Sequence, residues 1–297
     1  MVDDFFGSPW GGPWTQQKLT CLRRYLLEYR KIFKANPRAR YYSTWFVDAF
    51  AGTGSRPKAV SSGALWDLIY GDDEAKQYQV GSARIALELE SPFDNYLFIE
   101  KSKARSATLE KNVRTDYPQL AARCKFRTGD ANLQLKAWCS ERDWSKERAV
   151  VFLDPFGLEV EWDTVRVLAE TTGVDLWYLF PAIARLLPRD GNIPALWKAR
   201  LNRLFGTEAW QGRFWQAGRQ TGLFGDGENT ERTVSEDVMT GFLHERLTTC
   251  FGKKVARILT LRNSKQSPLY FLCFGASNEK GAGPALRIAN YILDESY

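Results

Sequence analysis

The chain has 297 residues, of which 44% are apolar, 14% aromatic and 26% charged, a composition that excludes a disordered or collagen-like polymer and supplies a sizeable core. Lys and Arg (41) exceed Asp and Glu (35) by six, a surplus that permits a polyanionic partner without requiring one. The length exceeds one typical domain of about 150 residues and fits a single large α/β domain carrying an insertion.

The cysteines Cys21, Cys124, Cys139, Cys250 and Cys273 form no closely spaced pair, and His244 is the single histidine. A zinc site needs four converging Cys or His ligands, so no metal site is expected. An odd cysteine count and an acidic start, MVDDFFGSPW, without a basic then apolar leader predict a reducing, cytoplasmic location. The most apolar stretch, Val174 to Leu187, is broken by Pro181 and Arg185 and falls short of the roughly 20 residues of a membrane span.

Thr15 to Phe33 reads as a helix, with Leu19, Leu22, Leu26, Tyr29 and Phe33 on one face by three-four spacing. Its other face carries Arg23, Arg24, Arg30 and Lys31, either a solvated surface or a contact for a polyanion. Trp45 to Val47 reads as a buried strand closed by Asp48 and a glycine turn, Ala51-Gly52-Thr53-Gly54-Ser55, the expected opening of a parallel α/β sheet. Residues 56–80 are polar and irregular, long for such a connection, and read as a lid-like insertion or a weakly ordered segment. A helix is predicted over Ser82 to Leu89, and a second strand over Tyr96 to Ile99, closed by Glu100.

A helix from Ser102 to Asn112, a strand over Lys125 to Arg127 with the turn Gly129-Asp130, and a helix over Leu133 to Ser140 follow. Ala149 to Leu153 is the most strand-like run and leads into Asp154-Pro155-Phe156-Gly157; Val165 to Glu170 reads as a helix and Val174 to Phe180 as a fifth strand. The alternation implies a doubly wound, mostly parallel sheet of Rossmann type. From Pro181 to about Glu236 the texture changes. Up to Gln220, seven basic residues (Arg185, Arg189, Lys198, Arg200, Arg203, Arg213, Arg219) meet two acids, Asp190 and Glu208, with Trp197, Phe205, Trp210, Phe214 and Trp215 between them. This predicts a helical insertion whose aromatics either hold a nucleic-acid strand or pack among themselves or against a protein partner. Val255 to Leu261 and Leu269 to Phe274 read as an antiparallel hairpin, and Pro284 to Leu293 as a closing helix. The expected organisation is an N-terminal helix in 1–40, a nucleotide-type core in 41–180, the insertion in 181–240 and a return to the core in 241–297.

The acids and glycines fall just after strand ends, the edge where open α/β sheets bind ligands. Glycines after Asp48 let the backbone approach a ligand closely. Glu100 is placed to accept hydrogen bonds from the two hydroxyls of a ribose, or is an exposed helix-capping acid. Asp130 can accept from an exocyclic amine such as that of adenine, or is an ordinary N-cap. The pattern G-x-G-x-x-G is absent, because Pro57 stands at the third glycine, which disfavours NAD.

On these residues the sequence resembles a class I S-adenosylmethionine-dependent methyltransferase from about Trp45 to Phe180. More narrowly it is similar to the three-Cys-motif partner (TcmP) family, through VDAFAGTGSR, GSARIALE, FIEKS, GDAN, VVFLDPFGLEVEWDT, VDLWYLFP and PLYFLCFGASN. The resemblance implies a seven-stranded sheet and S-adenosylmethionine held by Asp48, Phe50, Gly52 and Gly54 at the methionine end, Glu100 at the ribose, and Asp130 and Ala131 at the adenine. It also implies a three-cysteine-motif protein encoded nearby as the partner.

Asp154 and the Pro155 carbonyl are placed to accept hydrogen bonds from an exocyclic NH₂ and aim its lone pair at a sulfonium methyl, orientation that supplies up to roughly 7–11 kcal/mol in ideal cases. Phe156 is placed to stack on the base, or is a core residue. D-P-F-G departs from the adenine-type D-P-P-Y and is closer to the turn of tRNA guanine-N2 dimethyltransferases, so both amines stay open. Gly157, Phe180, Arg185 and Arg189 complete the expected acceptor region, while Glu159, Glu161 and Asp163 read as a helix-start charge cluster. The expected function is methylation of a nucleic-acid base amine; the alternative is a non-catalytic adaptor on the same fold.

Overall fold

The computed structural model describes residues 13–53, 81–217 and 230–296. Gly54, the insertion 56–80 and Arg219 lie outside them. Strand β1 (Ser43–Asp48) lies between β2 (Asn95–Glu100) and β4 (Glu147–Leu153), with β3 (Cys124–Thr128) outside β2 and β5 (Val174–Pro181) outside β4, all parallel. A short ribbon, β6 (Trp215–Ala217) with β7 (Thr230–Arg232), stands apart. Strands β8 (Leu259–Arg262) and β9 (Pro268–Ala276) form the closing hairpin, and β9 enters antiparallel beside β5. The seven-stranded order β3-β2-β1-β4-β5-β9-β8 is the Rossmann-like sheet of class I methyltransferases, with its reversed strand in the last hairpin.

Period-two alternation sorts each strand between two cores. Phe46, Tyr96, Phe98, Val150, Phe152, Trp177 and Leu179 face α1 (Pro13–Ala35), α2 (Ser82–Leu87), α3 (Lys103–Asp116) and the C-terminal helix Ala282–Asp294. Trp45, Val47, Leu97, Ile99, Val151, Leu153, Tyr178 and Phe180 face α4 (Ala131–Ser140), α5 (Trp162–Glu170) and the helices after β5.

Those helices are α6 (Ala195–Phe205), α7 (Trp210–Phe214) and α8 (Glu236–Phe251). Phe205, Trp210, Phe214 and Trp215 are buried in the same core cluster as the sheet, with Phe205 5.4 Å from both Phe180 and Phe242. Their polar edges are satisfied internally, Trp210 Nε1 by Asn202 (2.9 Å) and Trp215 Nε1 by the Pro188 carbonyl (3.1 Å). Of the uses left open by the sequence, these four side chains are engaged in packing. Helix α8, which contains residue 240, the expected end of the insertion, starts at the Ser235 cap and buries Met239, Phe242, Leu243, Leu247 and Phe251.

The first hairpin strand begins at Leu259 rather than at Val255. Val255 makes a single bridge to Gly275 and Ala256 N–H still donates to the Phe274 carbonyl (3.0 Å), but Arg257 N–H donates to Asn290 Oδ1 at 3.0 Å, which takes the chain out of the ladder. The basic face of α1 is tied down from within: Arg24 pairs with Glu295, Lys31 with Glu28, and Arg30 donates to the Ser91 carbonyl and to Thr44. Among the described residues no helix is long and apolar enough to cross a membrane.

Gly206 closes α6 at φ +64°, and a Cβ built on it meets Trp162 Cδ1 at 2.5 Å and Cβ and Cγ at 2.6 Å. The left-handed conformation and the close approach both require glycine. Gly206→Ala is expected to cost about 2–4 kcal/mol through αL backbone strain plus overpacking, read as a lowered urea midpoint. A loss below about 0.5 kcal/mol would show that Trp162 repacks freely.

Candidate active site

The chain leaves the sheet's carboxyl edge at four neighbouring strands, and each exit carries an acid: Asp130 after β3, Glu100 at the end of β2, Asp48 at the end of β1 and Asp154 after β4. At about 4.8 Å per strand the row spans about 14 Å, the scale of an extended nucleoside with a short side chain. Between β1 and β4 the strand order reverses, which opens the crevice where such sheets bind ligands.

Asp48 is fully buried; Phe50 N–H (3.1 Å) and the Ser82 hydroxyl donate to it. Burial pushes its carboxyl up to about 7, although both hydrogen bonds and Lys18 pull it back. Glu100 is also buried, and its oxygens are engaged: Oε2 accepts from Gly52 N–H (3.1 Å), Oε1 from Ser102 N–H (2.8 Å) and Arg105 Nε (2.8 Å). The exposed capping acid is therefore not Glu100. Asp130 is the cap: it is exposed, and Oδ1 accepts from Asn132 N–H (2.9 Å) and Leu133 N–H (3.2 Å). Beside it Ala131 is buried, whereas Leu133 is 68% exposed, an apolar side chain left open on the first turn of α4.

Glu159 belongs to this edge rather than to the helix-start cluster. Burial raises its carboxyl, as do the negative charges of Asp130 and Glu100, against the pull of Lys101, so these three carboxylates lie within each other's field. Glu161 and Asp163 instead pair with Lys136 at 3.4 and 2.7 Å. Asn132 locks the two sides together, donating to the Glu159 carbonyl (2.9 Å) and accepting from Glu161 N–H (2.9 Å) and the Thr164 hydroxyl (2.8 Å).

Asp154 is 8% exposed and Pro155 is buried beside it. Phe156 projects outward, 44% exposed, and Gly157 turns the chain at φ +84°. Asp154 does not stand alone. Lys18, from the second turn of α1 and 0% exposed, donates from Nζ to Asp154 Oδ2 at 2.7 Å. Burial pushes the Asp154 carboxyl up and the Lys18 ammonium down, and the ion pair opposes both shifts. The sequence reading missed Lys18, although the residue sits on the apolar stripe of the first helix, four residues before Leu22.

The acceptor region is only partly assembled. Phe180 lies in the core against Tyr178 (5.5 Å) and Phe205 (5.4 Å), because strand alternation turns it into the sheet face rather than to the edge; it cannot touch an acceptor there. Arg185 and Arg189 are exposed, in and after the turn Ile183–Leu186 that follows β5. Among the described residues no group of three His, Cys, Asp or Glu is arranged to hold a metal ion.

No protein-family model and no curated protein sequence matches the chain. Among solved structures, spermidine synthase from Thermotoga maritima is similar over 95% of this chain and 75% of its own, at 6% identity and TM-score 0.40. An S-adenosylmethionine-dependent methyltransferase from Clostridium acetobutylicum is similar over 86% of this chain and 92% of its own, at 11% identity and TM-score 0.33. A Legionella pneumophila protein is similar over 90% and 98%, at 12% identity and TM-score 0.40. Likenesses this distant add nothing to the strand order, which defines the fold by itself.

Proposed function

We propose that the chain is an S-adenosylmethionine-dependent methyltransferase acting on an exocyclic amine of a nucleic-acid base, in company with a three-cysteine-motif protein. The observation that carries this reading is the row of four acids on adjacent strand exits, ending at the Asp154-Pro155 turn.

The residues present fit the cofactor. Gly52 is left-handed at φ +61°, and no described atom comes within 4 Å of where its Cβ would stand. Glu100 Oε2 carries one hydrogen bond and retains a lone pair for a ribose hydroxyl; a second hydroxyl would compete with Arg105, which is 42% exposed, for Oε1. Asp130 Oδ1 holds the cap, which leaves Oδ2 toward an adenine amine, with Leu133 as an apolar wall. When bound, S-adenosylmethionine supplies an electrophilic methyl on a sulfonium.

The chain's own residues do the rest. Asp154 and the Pro155 carbonyl accept from the two N–H groups of the acceptor amine, so the nitrogen lone pair is the one direction left free. Phe156 offers an exposed ring for the base, a stacking contact of about 1–3 kcal/mol. Arg185 and Arg189 offer phosphate contacts, and a duplex base must be extruded to reach the edge.

The adaptor reading is favoured by one observation: both Glu100 oxygens already accept hydrogen bonds from within the chain. Calorimetric titration with S-adenosylmethionine separates the two. Uptake by the wild type, weakened at least about tenfold in Glu100→Ala (about 1.4 kcal/mol), is the expected result; no heat with the wild type leaves the adaptor standing.

A further inference from the structure

Two polar side chains interrupt the buried stripe of α1, and each reaches a carboxylate on the sheet. Tyr25 donates to Asp175 at the start of β5 (2.7 Å), and Lys18 donates to Asp154 beyond the end of β4 (2.7 Å). The first contact lies at the amino edge of the sheet, away from the site. The second lies at the reacting edge. A buried ion pair adds little to stability relative to apolar residues of the same volume, so packing α1 on the sheet does not by itself call for a lysine here.

We propose that Lys18 is a positioning residue for methyl transfer: it occupies Asp154 Oδ2, fixes the plane of that carboxyl and leaves Oδ1 as the acceptor amine's hydrogen-bond partner. This rests on the methyltransferase reading. Lys18 is wholly buried and acts through Asp154. Its ammonium is fixed by the rings of Trp14 and Phe152, 5.4 and 5.9 Å from Nζ. Among the described residues, the further charged group acting on the pair is Asp48 at the end of β1, held in turn by Ser82 of α2. In transfer the N–C bond forms, the C–S bond breaks with its electron pair left on sulfur, and the methylated nitrogen then sheds a proton through Oδ1 to water. A protonated Asp154 would present a donor to the amine and lose the lone-pair alignment. Removing the Lys18 charge favours that protonation, since an opposite charge at this range lowers a carboxyl by about 1–3 units.

The test follows tritiated methyl transfer from S-adenosylmethionine to unmodified tRNA transcripts and to single-stranded DNA, from about pH 5 to about pH 9, in wild type, Lys18→Met, Lys18→Gln and Lys18→Arg. Carbon NMR of ¹³C-labelled aspartate follows the Asp154 titration in the same proteins. In Lys18→Met the acid limb is expected to move up by about one unit or more, and kcat at about pH 6 to fall at least about tenfold. Lys18→Arg restores the limb. If Lys18→Met does not fold, Lys18→Gln, which keeps a donor without the charge, reads the same limb. An active wild type with the limb and the Asp154 titration unmoved by either neutral variant overturns the role of Lys18 and leaves the methyltransferase reading intact. No transfer by the wild type to either probe overturns both.

Discussion

Lys18→Met is expected to lower the free energy of unfolding by about 3–5 kcal/mol, and adding Asp154→Val to it to return most of the loss. The single variant strands a carboxylate that is 8% exposed without its cation, and an unpaired buried charge is among the costliest defects a core sustains. The double variant removes both charges and fills the volume with apolar atoms, which is close to neutral when the packing holds. Urea denaturation of the wild type, the two single variants and the double variant gives the coupling directly. A Lys18→Met loss under about 1 kcal/mol would mean that water or another group already satisfies Asp154, and additive losses would mean that the two residues act separately. The same cycle guards the activity experiment, since it separates the protein's need for the pair in folding from its need for the pair at the site.

Much of the sheet was legible because β1, β2 and β4 are short, apolar and closed by or followed by an acid at the edge. Asp48, Glu100 and Asp154 close or follow runs whose alternate residues are buried on opposite faces, so pattern and position agree. Other features were not legible for identifiable reasons. Phe180 continues its strand with no change in hydropathy at the edge, and only its place in the alternation, shared with Tyr178, consigns it to the core. Glu159 differs from Glu161 and Asp163 through the fold around it: Asn132, 27 residues earlier, holds its carbonyl and so turns the segment back toward Asp130. Lys18 was visible in principle. A lysine at helical spacing with Leu22, Tyr25 and Tyr29 cannot reach solvent by snorkelling from a two-sided core, and it must meet a carboxylate. Helix α8 also announced itself, through Ser235 ahead of Glu236 and Asp237 and the three-four spacing of Met239, Phe242, Leu243 and Leu247, a cap and a stripe overshadowed by the basic and aromatic texture before it.

Asp175→Asn is expected to leave stability at about pH 3.5 nearly unchanged and to raise it at about pH 8 by about 1–3 kcal/mol. Burial pushes the Asp175 carboxyl up to about 7, with the Tyr25 hydroxyl and the Arg148 charge pulling it down. In the unfolded chain the group returns to an ordinary value near 3.8. Between those two values the folded protein binds a proton that the unfolded chain does not, so stability falls as pH rises through the window and levels off above about 7. The contribution is fully present below about pH 4, and a shift of about three units sets a ceiling of about 4 kcal/mol on what is lost. Asparagine removes the titration while keeping an oxygen to accept from Tyr25, which donates at 2.7 Å. Asp48, also held up to about 7, continues to titrate in the variant, so its share of the slope cancels when the two proteins are compared at each pH. Exposed carboxylates such as Asp143 and Glu295 are shifted downward by their partners; their contribution runs in the opposite sense, and it too is common to both proteins. Unfolding free energies at the two pH values decide the matter: a variant displaced from wild type by the same amount at both would show that Asp175 is ionised in the folded protein throughout, and that the polar latch between α1 and β5 is a charged one.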